Sequence, residues 1–166
     1  MAELTFIEHP LPPLYDGTSR VLVLGSFPSV KTREMGFFYG HPQNRFWKVM
    51  AEIYGEDVPA TVKGRRAFAL RHHIAMWDVI YSCRIAGSSD ASIRDVTPTD
   101  LAPILAASPV RAVITNGKTA HRSFEKYTAL KLGREDICLP STSPANAAWH
   151  MPDLVREWSV IREYTG

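Results

Sequence analysis

Residues 20–47 read RVLVLGSFPSVKTREMGFFYGHPQNRFW, and this stretch decides the fold. Val21 to Leu24 is a short apolar run between Arg20 and Gly25. A run of that length, closed by a turn signal, reads as a buried strand. It breaks at Gly25-Ser26-Phe27-Pro28-Ser29, small residues around a proline. An aromatic cluster follows, Phe37-Phe38-Tyr39, then His41-Pro42-Gln43-Asn44, and Arg45-Phe46-Trp47 opens a helix. A strand that ends in a small-residue loop dense with aromatics and amides suggests a site at the carboxyl end of a sheet.

The flanking sequence extends this pattern. Residues 1–19 hold three prolines and read as an extended lead-in. Phe46, Trp47, Met50 and Ile53 share one face of a helix over 44–54, with Gly55 as its C-cap. A second, basic helix spans about 61–72, and Ile74 to Ile80 is the second strand. Residues 82–100 read as a polar loop centred on Gly87-Ser88-Ser89-Asp90. Asp100 caps a helix over 101–107, Ala112 to Thr115 is the third strand, and Asn116-Gly117 leads into a helix over 118–126. Ile137 to Leu139 is the fourth strand, followed by Pro140-Ser141-Thr142-Ser143-Pro144-Ala145-Asn146 and a closing helix over 152–164. Alternating strands and helices predict an α/β chain with a mostly parallel sheet and helices on both faces. Four loops then leave the carboxyl ends of the strands, at 25–43, 81–97, 116–118 and 140–147.

The length of 166 residues suits one domain over 1–166. A formal net charge of +2 neither demands nor excludes a nucleic-acid partner, because only a local patch matters. Cys83 and Cys138 stand alone and cannot supply a cysteine-rich metal site. The histidines show no HExxH-like spacing, so no metal is expected. No apolar run approaches the ~20 residues that cross a bilayer, and the N-terminus lacks a basic region followed by an apolar one. A cytoplasmic, monomeric protein is the expectation.

Phe37, Phe38 and Tyr39 offer stacking faces, and Gln43 and Asn44 offer paired donors and acceptors that could orient a water or read a base edge. The same aromatics suit a core, and Asn44 equally suits a helix cap. The hydroxyl-rich PSTSPAN loop could cradle a phosphate, as could Gly25-Ser26 and Asn116-Gly117-Lys118. None of these fits GxxxxGK[ST], which disfavours a nucleotide triphosphatase. Asp78, at a strand end beside Trp77, suits a general acid/base, a water-positioning carboxylate or a structural one. Gly25-Ser26-Phe27-Pro28 lacks the second glycine of a nucleophile elbow.

FYGHPQNRFW, preceded by GSFPS and followed by PSTSPAN, resembles the uracil-DNA glycosylase superfamily. HPQNRFWKV is similar to the mismatch-specific uracil/thymine glycosylases. With WDVI, GSSDASI, NGKTA and LPSTSPANAAW added, the set most resembles the hypoxanthine-DNA glycosylase branch, over about 10–162. The resemblance implies a three-layer α/β/α fold around a four-stranded parallel sheet. It also implies monofunctional excision, without cofactor, of a deaminated base such as hypoxanthine, uracil or xanthine from damaged DNA.

The resemblance assigns roles by position. Gly25 to Ser29 resemble the water-activating loop, but Phe27 stands where other branches carry Asp or Asn. The catalytic amide then falls to Asn44. Tyr39 matches the aromatic that stacks on the flipped base, with Phe27, Phe38 and Asp78 beside it as base-binding residues. Gly25, Ser26, Ser29 and Lys118 would contact phosphates. Ser141, Ser143, Pro144, Ala145 and Asn146 would grip phosphate and fill the gap in the duplex. Ser141 stands where other branches have His or Asn, and Ala145 where many have a Leu wedge. Branches with an iron–sulfur cluster need four cysteines, and this chain has two. The alternatives are a mismatch-specific uracil/thymine glycosylase, a non-catalytic nucleic-acid-binding domain, or a small-molecule hydrolase using Asp78 with His41.

Overall fold

The computed structural model describes residues 3–166. At its centre is a four-stranded sheet of β2 (Val21–Gly25), β3 (Ile74–Asp78), β6 (Ala112–Asn116) and β7 (Ile137–Leu139), in the order β3-β2-β6-β7. Every neighbouring pair is parallel. All five residues of β2 and of β6 are buried, the signature of strands covered on both faces.

The two-residue period of the strands sends alternate side chains into two cores. Val21 and Val23 join a cluster with Phe46, Trp47, Phe68 and Trp158. That cluster lies under α2 (Phe46–Tyr54), α3 (Val62–Arg71) and α7 (Met151–Trp158). Leu22 and Leu24 join Leu101, Ile104 and Phe124 under α4 (Ala102–Ala107) and α5 (Lys118–Tyr127). The result is the three-layer α/β/α arrangement expected from the sequence. Gly55, at φ 65°, ends α2 as its C-cap.

The sequence reading of 82–100 as a loop is corrected. β4 (Ile80–Ile85) and β5 (Arg94–Pro98) pair antiparallel, and β4 also pairs with β1 (Thr5–Glu8), giving a second sheet in the order β1-β4-β5. β1 and β5 are mostly exposed, so their sequences lack the apolar run that marks a buried strand. The second strand read over 74–80 is likewise two. β3 stops at Asp78, Val79 N–H donates to the Gly25 carbonyl at 2.9 Å, and the chain turns into the second sheet. A third core of Phe27, Ile80, Cys83 and Ile85 fills the space beneath it.

The lead-in is also more ordered than expected. Leu14 exchanges backbone hydrogen bonds with Met76, at 2.9 and 2.8 Å, and Trp77 Nε1 donates to the Leu11 carbonyl at 3.1 Å. The closing helix is α7, then a 3-10 turn over Ser159–Ile161, then α8 (Arg162–Thr165). Two short helices complete the chain, α1 (Val30–Met35) and α6 (Ala129–Leu132).

Candidate active site

All four loops named from the sequence meet in one cavity of about 450 Å³ at the carboxyl end of the parallel sheet. The loop after β2 contributes Gly25, Ser26, Phe27, Ser29, Phe38, Tyr39 and Asn44. β3 contributes Asp78, and the segment after β4 contributes Ser88 and Asp90. Gly117 and Lys118 enter from the start of α5, and Ser141, Ser143, Pro144 and Ala145 from the last loop. Asn146 does not line the cavity. Its amide turns back to donate to the Ser141 carbonyl at 3.0 Å, so it shapes the loop.

Asn44 takes the helix-entry role that the sequence left open, and a second contact besides. Its Oδ1 accepts from the Phe46 backbone N–H at 3.0 Å, as a helix cap does. The same oxygen accepts from Thr142 Oγ1 at 2.8 Å. Thr142 is fully buried and is itself held by Asn116, which donates from Nδ2 to its Oγ1 at 3.0 Å and accepts from its N–H at 3.0 Å. Both lone pairs of the Asn44 carbonyl are therefore engaged. Nδ2 remains as the side chain's donor, and Asn44 lines the cavity.

Thr142 and Arg45 are the residues that sequence reasoning missed on this wall. The Arg45 guanidinium gathers the carbonyls of Ser143 (3.0 Å), Asn146 (3.2 Å) and Trp149. Its backbone N–H donates to the Thr142 carbonyl at 3.1 Å. A guanidinium has five donors in a rigid fork, which suits it to pin a loop by its backbone. The motif adjacency of Asn44 and Arg45 was the available signal.

Tyr39 stacks one ring face on Phe46, with centroids 4.5 Å apart and planes 25° apart. Its backbone sits at φ 54°, a left-handed conformation that non-glycine residues seldom adopt and that clusters at functional sites. Its hydroxyl is buried near Asn116 and makes no hydrogen bond of good geometry among the described residues. Burial first, then the Asp78 charge, pushes the phenol well above its usual range, so it stays protonated as a donor.

Asp78 is buried, and its Oδ2 lies 2.7 Å from His9 Nε2. A Cβ built on Gly25 would lie 2.4 Å from Asp78 Oδ1, so only glycine lets the carboxylate approach the end of β2. Phe27 and Phe38 line the cavity but are buried in the cores around it.

The phosphate-contact candidates divide in the same way. Ser29 caps α1: its Oγ accepts from Thr32 N–H at 3.1 Å and donates to Thr32 Oγ1 at 3.1 Å, which commits the hydroxyl. Ser141 and Ser143 accept from backbone N–H groups of their own loop at 3.2 Å and keep their hydroxyl protons to donate. Lys118 is exposed at the rim. Gly117, at φ 97°, brings the start of α5 against Ser141, where a Cβ would come within 2.9 Å of the Ser141 Cβ.

Residues 12–161 match the family model described as the uracil DNA glycosylase superfamily. The chain belongs to that superfamily. It is 33% identical over 138 residues to a protein named hypoxanthine DNA glycosylase from Methanosarcina barkeri, covering 81% of this chain and 85% of that one. A second protein of that name, from Methanosarcina acetivorans, is 31% identical over 159 residues, covering 93% and 98%. The fold matches a solution NMR structure from Methanosarcina acetivorans, described as a candidate uracil DNA glycosylase. The TM-score is 0.82 at 26% identity, over 98% of this chain and all of that one. Within this superfamily member, the cavity beyond β2, β3 and β6 is the candidate active site.

Proposed function

We propose that this protein is a monofunctional DNA glycosylase that flips a deaminated base out of DNA and excises it by hydrolysis, with hypoxanthine as its base. The carrying observation is the pair of polar groups on the cavity wall, half-buried Asn44 and buried Asp78, each with part of its hydrogen-bonding capacity already taken up. Asn44 is left with a donor, and Asp78 has one oxygen held by His9. The names of the relatives support hypoxanthine as the base.

Flipping costs a few kcal/mol of unstacking and unpairing, least for a mispaired base. In the cavity the base lies by Tyr39, whose aromatic face favours any planar ring. Asp78 accepts from the N–H at the lactam edge, a donor that hypoxanthine carries and adenine lacks. As the C1′–N9 bond breaks, its electron pair leaves with the base and the sugar becomes oxocarbenium-like. Asn44 Nδ2 donates to one lone pair of a water, which leaves the other free to attack C1′. A neutral amide is no strong base, so attack follows bond breaking and the water's proton passes to solvent or to the departing base. Lys118, Ser141 and Ser143 contact phosphates. The protein acts as a monomer of one domain in the cytoplasm.

The test is excision from a duplex carrying inosine, followed by alkali, which cleaves at abasic sites. We expect alkali-dependent cleavage at inosine and none before alkali. An uncleaved duplex that the protein still binds would support the non-catalytic alternative. A panel with uracil and xanthine ranks the bases.

A further inference from the structure

His9 lies behind the cavity wall, against Asp78, and the family motifs give it no task. Its side chain is completely buried, 69 residues from Asp78 in sequence, and its Nε2 meets Asp78 Oδ2 at 2.7 Å. The Leu11 backbone N–H donates to His9 Nδ1 at 3.1 Å. That nitrogen therefore presents a lone pair, and the ring's proton sits on Nε2, where it is donated to the carboxylate. Phe27, Phe38 and Trp77 surround the ring at centroid distances of 5.9, 6.3 and 5.9 Å and hold its orientation.

We infer that His9 is a positioning residue for base recognition: it occupies Asp78 Oδ2 so that the carboxylate offers the cavity a single fixed acceptor, Oδ1. This inference rests on the glycosylase reading above. An unheld carboxylate would rotate and lose its fixed direction. The acceptor would then no longer be aimed at the hypoxanthine N–H, the contact that separates it from adenine, whose bare ring nitrogen at that edge has no proton to give. The His9 bond also draws charge toward Oδ2, away from a base that becomes negative as it leaves. Asp78 does the reading, and the lead-in segment, through His9, keeps its free oxygen aimed.

Single-turnover excision from an inosine duplex tests this with His9→Phe, His9→Gln, His9→Asn, Asp78→Asn and the double variant His9→Phe/Asp78→Asn, each checked by thermal melting. His9→Phe keeps the ring and its aromatic neighbours but removes the donor, and should slow excision about 10- to 100-fold with DNA binding little changed. His9→Gln has the reach to donate to Asp78 and should recover most of the rate, whereas the shorter His9→Asn should not. In the Asp78→Asn background, His9→Phe should add less than about threefold, because the two act through one contact. A wild-type rate in His9→Phe, losses that multiply in the double variant, or equal rates for Gln and Asn would overturn the inference. Should His9→Phe fail to fold, the Gln and Asn pair decides alone. Wild-type protein inert toward inosine would instead overturn the glycosylase reading beneath it.

Discussion

The two walls of the cavity are built alike and read differently. On one, Asn44 has its oxygen saturated by Phe46 N–H and Thr142 Oγ1, leaving a donor. On the other, Asp78 has one oxygen engaged by His9 Nε2, leaving an acceptor. Asn44 both donates and accepts in isolation, and its buried partners take up the acceptor and leave the donor. A charged carboxylate only accepts, so His9 leaves the sign of Asp78 unchanged and takes one of its two oxygens. The difference lies in charge. The Asn44 wall is a chain of neutral amides and hydroxyls that costs little to bury once satisfied, whereas the Asp78 wall carries a charge that burial penalises unless it is paired. A neutral donor suits an attacking water, and a charged acceptor suits rejecting a base with a lone pair at the same edge.

Substitutions that remove one partner from one wall separate their tasks. Asn44→Ala deletes the donor outright. We expect single-turnover hypoxanthine excision to fall at least about 10³-fold while binding to inosine DNA survives, since positioned donors of this kind contribute strongly to rate. Thr142→Val leaves Asn44 in place but takes away one of its two tethers. The expected loss is about tenfold in rate, the size of one buried hydrogen bond, with the same retained binding. A larger loss than for Asn44→Ala would show that Thr142 acts on substrate directly.

Tyr39 tests the space between the walls. Tyr39→Ala should cost about 10- to 100-fold through lost stacking. Tyr39→Phe should stay within about threefold, because the hydroxyl makes no hydrogen bond of good geometry among the described residues. Equal losses in the two variants would point to the hydroxyl, not the ring, as the base contact.

The smallest effect lies away from both walls. His121 Nδ1 is 2.7 Å from Asp136 Oδ2, and that hydrogen bond is the largest influence raising its pKa above 6.5, with the Asp136 and Glu125 charges adding to it. A folded-state pKa raised above the unfolded one means stability fully present below pH 6.5 and lost as pH rises through the folded value. Melting temperature should therefore decline modestly as pH is raised above 6.5. Asp136→Asn should flatten that slope.

The two walls also differ in how far the sequence revealed them. Asn44 stands in HPQN, close to the aromatics it works with, and the loop that tethers it carries its own hydroxyl-rich motif. The buried runs VLVL and AVIT made the parallel sheet legible for a similar reason: strands covered on both faces are largely apolar along their length. β1 and β5 lie mostly in solvent, and their polar residues read as loop. The turn of β1 back onto β4 sets His9 beside Asp78, so a contact across 69 residues had no local signature. Thr142 was visible as a member of PSTSPAN, but its task depends on Asn116, which the parallel pairing of β6 with β7 brings alongside.

Excision of hypoxanthine compared with 1-methylhypoxanthine, each in the same duplex, tests the central claim most directly. The methyl group replaces the lactam N–H that Asp78 is assigned to accept and leaves the glycosidic bond and stacking surface intact. We expect hypoxanthine to be released and 1-methylhypoxanthine to be released at least about 100-fold more slowly by the wild-type chain, with the difference shrinking in Asp78→Asn. Equal release of the two bases by the wild-type chain would contradict the account.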